Sequence, residues 1–173
     1  VSLEMCHGVD VGDCFFKEPT STGSGAGYGV VSFKSTNIYI RKAVGVGMRH
    51  VVDLSSTYGA YANYVEDSDA KSATMVLCHN GFCGDIGVGK VVITTSEPTY
   101  MGNTSSQGYT IDGGTSADSV KREKHPVWNI DIGDIYIKTS SSVNSNFRAL
   151  SLDTEMRGNI NIGSVTLEYT NVE

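Results

Sequence analysis

The sequence predicts an all-β chain, and more narrowly a right-handed parallel β-helix, a solenoid of about five or six rungs with lateral loops. Three observations carry that expectation. Val, Ile, Thr and Tyr dominate the apolar positions, while runs rich in Ala, Leu, Glu and Lys are absent, which favours strand over helix. Gly is abundant, 20 residues against 3 Pro, and lies among Ser, Thr and Asn as turn-rich punctuation. Above all, one short phrase recurs along the chain.

The phrase is aliphatic, any, aliphatic, Gly, any, apolar, any, apolar. It reads Val9-Asp10-Val11-Gly12-Asp13-Cys14-Phe15-Phe16, then Ile86-Gly87-Val88-Gly89-Lys90-Val91-Val92-Ile93. It returns as Ile130-Asp131-Ile132-Gly133-Asp134-Ile135-Tyr136-Ile137 and as Ile160-Asn161-Ile162-Gly163-Ser164-Val165-Thr166-Leu167. Period-two alternation on each side of the glycine makes each half a short strand that buries alternate side chains. The glycine is expected to let the backbone turn a corner. Stacked, Val9, Ile86, Ile130 and Ile160 form one interior row, and Cys14, Val91, Ile135 and Val165 another.

The remaining segments fit between these copies. Residues 30–40 and 50–54 are strand-like, and 58–65 reads as a degenerate copy. The glycines stand at 12, 89, 133 and 163, so the intervals are 77, 44 and 30 residues, and the longer ones hold extra rungs or lateral loops. The least strand-like stretch, 94–125, is expected to be a long lateral loop. The chain opens directly in strand-like sequence and closes on another strand at 166–169, so one segment, 1–173, of a larger protein is expected. A β-sandwich is the alternative architecture. Leucine-rich repeats are excluded by the shortage of Leu and the missing Asn ladder.

Composition narrows the function classes. A formal charge of −6 argues against a nucleic-acid partner, which would need a basic stripe. No apolar run approaches the ~20 residues of a membrane helix, so no membrane insertion is expected. Four cysteines, Cys6, Cys14, Cys78 and Cys83, do not make a disulfide framework and are read as mostly free. With His7 and His79 they match no closed zinc spacing, so neither a metal nor a cofactor is expected.

The string Met48-Arg49-His50-Val51-Val52-Asp53-Leu54, followed by Leu77-Cys78-His79-Asn80-Gly81 and Asp85-Ile86-Gly87-Val88, resembles the β-helix body of bacteriophage tailspikes and pre-neck appendage proteins. These are similar to the wider pectate-lyase-like superfamily. The resemblance spans most of the chain and is one of style rather than of a diagnostic signature. It implies an extracellular virion-tail protein, a homotrimer attached to other tail proteins, that binds and often cleaves a host surface polysaccharide or teichoic acid. Two other functions stay open: a non-enzymatic structural or adhesin β-helix, and a free polysaccharide lyase or epimerase. The few Lys and Arg on the repeat faces count against the last.

Glycan hydrolysis needs two carboxyl groups. Asp131 lies between two inward residues and so faces outward, as Asp10 does in the first copy. The catalytic candidates are Asp131, Asp153, Asp53 and His79, with Asp85, Asp134, Glu155 and His50 behind them. For each, a solvated face or a satisfied turn is the competing reading. Sugar binding calls for aromatic rings beside amides and carboxylates. Tyr61, Tyr64, Tyr100, Tyr109 and Trp128 are the candidates, with Tyr58, Asn63 and Glu66 close by.

Overall fold

The computed structural model describes residues 1–17, 27–70, 74–77, 83–95, 109–111, 127–140, 151–152 and 156–170. Among them are thirteen strands and no helix. The first six are β1 (Ser2–Glu4), β2 (His7–Lys17), β3 (Tyr28–Phe33), β4 (Thr36–Val46), β5 (His50–Ser55) and β6 (Tyr58–Ser68). Then come β7 (Met75–Leu77), β8 (Cys83–Thr95), β9 (Tyr109–Ile111) and β10 (Val127–Ser140). The last are β11 (Ser151–Leu152), β12 (Met156–Ile162) and β13 (Val165–Thr170).

Two parallel sheets divide these strands by parity. The odd sheet runs β1-β3-β5-β7-β9-β11, and the even sheet runs β2-β4-β6-β8-β10-β12, with β13 also on β10. Each short odd strand and the longer strand after it thus make one tier, and each tier pairs in parallel with the next. Parallel pairing forbids a hairpin, so the chain must cross to the other sheet and return before laying the next strand. Six tiers stack in sequence order, an architecture compatible with a solenoid.

Both expected interior rows are in register, with two further members each. Val9, Ile38, Ala60, Ile86, Ile130 and Ile160 align, as do Cys14, Ala43, Val65, Val91, Ile135 and Val165. The middle tiers bury these rows almost completely: Ile38, Ile86, Ile130 and Ile135 are each 1% exposed. Each such side chain contributes about 1.5–3 kcal/mol, far less than the ordering of one tier costs, so tiers stabilise one another.

The 77-residue interval holds two tiers whose corner residue is not glycine. Arg41 and Asn63 stand between the same paired neighbours as Gly12 and Gly89. The stretch 94–125 is not one loop: Thr94 and Thr95 finish β8, and β9 pairs with β7 within it.

The corner glycines serve another purpose than the one expected. None of Gly12, Gly89, Gly133 and Gly163 has positive φ. At three of them the preceding tier comes too close for a side chain. A Cβ on Gly133 would lie 2.0 Å from the Gly89 carbonyl oxygen, and one on Gly163 would lie 2.7 Å from that of Gly133. A left-handed backbone position sits four residues earlier, or five in the last tier. Gly8, Asn37, Gly59, Asp85, Asn129 and Gly158 all have φ between 51° and 72°. Paired residues bracket these positions in neighbouring tiers. Only Gly, Asn and Asp occupy the column, the residues that enter this region at least cost.

Candidate functional site: an outer groove on the even sheet

The outer face of the even sheet is built from columns flanking the left-handed one. On one side Thr36, Tyr58, Gly84, Trp128 and Arg157 align from tier to tier. On the other the column runs Asp10, Tyr39, Tyr61, Gly87, Asp131 and Asn161. Tier 4 carries glycine in both columns, and the tyrosines of tier 3 lean over these gaps. A Cβ on Gly87 would meet the Tyr61 ring at 2.6 Å, and one on Gly84 would meet the Tyr58 ring at 3.1 Å. Tyr61 also stacks parallel to Tyr39, with centroids 6.3 Å apart and planes at 3°.

An open groove of about 380 Å³ runs from the Tyr61–Gly87 contact across tiers 3 to 6. Tyr61 and Gly87 lie at one end, Asp131 and Asn161 continue that column, and Asp85, Asn129 and Asn159 line the opposite edge. The amide of Asn129 holds this edge together. Its Nδ2 donates to Asp85 Oδ1 at 2.7 Å, and its Oδ1 accepts from the Asn159 backbone N–H at 3.1 Å. Gly158 makes room for that contact, since a Cβ there would approach Asn129 Oδ1 to 2.2 Å. The edge is therefore a hydrogen-bonded ladder over three tiers, with the Asn129 side chain fixed at both ends.

Of the residues expected from sequence, Asp131, Tyr61 and Asp85 come together here. Trp128 sits just outside, half-buried, with the Arg157 guanidinium 5.7 Å from its ring. Tyr64 lies beyond the bend of β6, away from the groove. Its hydroxyl donates to Glu66 Oε2 at 2.7 Å, and the Lys42 ammonium lies 5.3 Å from its ring. Burial, and then Glu66, push the Tyr64 phenol up to about 12.

Asp53 does not share the Asp131 surface. It stands on the odd sheet in β5, a strand buried on both faces, is 4% exposed and accepts from Ser55 Oγ at 3.1 Å. A carboxylate so enclosed cannot join Asp131 in a lateral groove. Tyr109 begins β9 on the odd sheet, paired with Met75. His79, Tyr100, Asp153 and Glu155 lie outside the described residues.

The other outward acids are also accounted for. Asp10 shares the Asp131 column but stands four tiers away, roughly 19 Å at ordinary strand spacing. Asp134 accepts from Ser164 Oγ at 2.6 Å, which holds its carboxyl below the usual range. His50 is buried against Tyr28, with ring centroids 5.2 Å apart.

Asn129, Asn159, Asn161 and Gly87 were not singled out from sequence. The signal for them was present, because aligning the glycine phrases places Gly87, Asp131 and Asn161 in one column. Comparison with family models, with curated proteins and with solved structures finds no match to the chain.

Proposed function

We propose that this chain is a stretch of right-handed parallel β-helix, from a phage tail appendage, that recognises a host surface glycan in the groove over tiers 3 to 6. One observation carries the reading: the Tyr61 ring lies over a strip without side chains and is continued by Asp85, Asn129, Asp131 and Asn161. A pyranose offers an apolar face that stacks on such a ring and hydroxyls that pair with amides and carboxylates. The strand-and-tier frame gives these groups a rigid backing. The resemblance in the sequence supplies the virion setting, the homotrimer and the other tail proteins as partners.

Cleavage would use Asp131 with Asp85. One tier and two residues separate them, and both carboxylates line the groove, the pair of acidic groups that glycan hydrolysis calls for. Asp85 is already held by Asn129, so recognition is the primary reading and depolymerisation the additional one.

The test is to incubate the protein with purified cell-wall and capsular polymers, following retention and the release of new chain ends. Binding that falls about tenfold in Tyr61→Ala supports the groove. Release of ends that is lost in Asp131→Asn would add hydrolysis. Unchanged binding in Tyr61→Ala would overturn the site, and no binding to any polymer would leave a structural spacer.

A further inference from the structure

The charge of the groove narrows what it can hold. Its described lining includes two carboxylates, Asp85 and Asp131, and three amides, Asn129, Asn159 and Asn161, but no Lys or Arg. We infer that the groove selects its glycan by charge: it takes an uncharged or amine-bearing stretch and excludes phosphate- and carboxylate-bearing ones, teichoic acids included. The inference rests on the glycan reading and deepens it.

Three features carry the argument. The Asn129 amide pins one oxygen of Asp85, so that negative charge cannot swing away to admit an anion. Asp131 stands one tier beyond Asp85 and two beyond Tyr61 in the Tyr61 column, so a chain stacked on Tyr61 and running along the column meets it. Like charges lining a concave surface reinforce one another, and the net charge of −6 has the same sign. Repulsion of this kind discriminates between polymers without any added affinity for the right one. Amides, by contrast, accept and donate to hydroxyl and N-acetyl groups without regard to charge.

One cation beside the groove is Arg157, one column away and packed on the Trp128 ring. Were it the anchor for a phosphate, the selectivity would be the reverse, so it enters the test. The Asp85→Asn/Asp131→Asn variant is well placed to keep its fold. Asn37 and Asn129 already occupy the left-handed column of Asp85, and Asn161 occupies the column of Asp131.

The experiment presents the whole chain to a printed panel of bacterial surface glycans with amine-bearing, neutral, uronate-bearing and phosphate-bearing members. It is run at low and at physiological ionic strength with four proteins: native, Tyr61→Ala, Asp85→Asn/Asp131→Asn and Arg157→Ala. Tyr61-dependent retention is expected only on neutral and amine-bearing members. The double variant should lose roughly three- to tenfold on amine-bearing glycans, lose less on neutral ones, whose hydroxyls the new amides still engage, and gain on anionic ones. Arg157→Ala should change none of these rankings. Tyr61-dependent retention of phosphate- or uronate-bearing glycans by the native protein would overturn the inference while leaving the glycan reading intact, as would their loss in Arg157→Ala. Retention of nothing, whatever its charge, would sink the glycan reading and this inference with it.

Discussion

Two groups of polar residues are tied together by hydrogen bonds in this molecule, one at the inner corner between the sheets and one along the groove. At the corner, Ser32 Oγ and Thr57 Oγ1 lie 3.0 Å apart, and Thr57 Oγ1 donates to the Ser55 carbonyl at 3.0 Å. Ser32 and Thr57 are fully buried. On the groove, Asp85, Asn129 and Asn159 form a comparable ladder, but with Asp85, Asn129 and Asn159 exposed. Inside, every bond replaces one that water can no longer make, so the group's work is structural. Outside, the ladder fixes orientation while its free capacity still faces solvent. The same residue types therefore take opposite roles according to what covers them.

Both groups depend on the spacing between tiers, so the largest effect is expected where that spacing is broken. Gly133→Ala drives a Cβ against the Gly89 carbonyl and should destabilise the fold by about 3 kcal/mol or more. Gly12→Ala, whose Cβ would meet only Arg41 Nη2 at 3.5 Å, should stay within about 0.5 kcal/mol. Urea midpoints of the two variants decide it, and equal shifts would refute the close-approach account.

Thr57→Val should cost about 1–3 kcal/mol, because it removes a partner from buried Ser32, and should leave glycan retention unchanged. Asn129→Gly inverts that pattern. Glycine already fills the same left-handed column at Gly8, Gly59 and Gly158, so stability should move by less than about 1 kcal/mol, while retention falls several-fold as Asp85 loses its anchor. If Thr57→Val weakened binding and Asn129→Gly did not, the contrast between inner corner and groove would collapse.

The smallest effect concerns pH. The Tyr64 phenol is raised to about 12 by burial and by Glu66, so the folded chain holds that proton more tightly than the unfolded one. Its contribution is complete below about pH 10 and is lost as pH rises toward 12. Tyr64→Phe should flatten the stability profile over that window and leave glycan retention at neutral pH unchanged, since the residue lies away from the groove. A profile identical to the native one would remove Tyr64 from the account.

Much of the fold was legible because its determinant is a repeat. Alternation around Gly12, Gly89, Gly133 and Gly163 gave the interior rows, and those rows are the paired columns of the even sheet. The second tier was legible only as strand-like sequence over 30–40, and its corner escaped, since Arg41 stands there and no glycine marks it. The outward placement of Asp131 followed from the same alternation, and Tyr61 followed from its chemistry. Asp53 was named as a carboxylate without a placement, and nothing local in the sequence shows that its strand is covered on both sides.

The sequence by itself determined that the chain is all-β, which residues share a strand face, and where the strand phrases recur, because these are properties of local period and composition. Only the tertiary structure decided which tiers are neighbours, since that requires register between segments separated by unequal intervals. Register in turn placed Tyr61 over Gly87, joined Asn129 to Asp85 and set Asp131 beside them, contacts between residues 26 to 44 positions apart. A groove that begins where Gly87 falls beside Tyr61 exists only once the tiers are stacked.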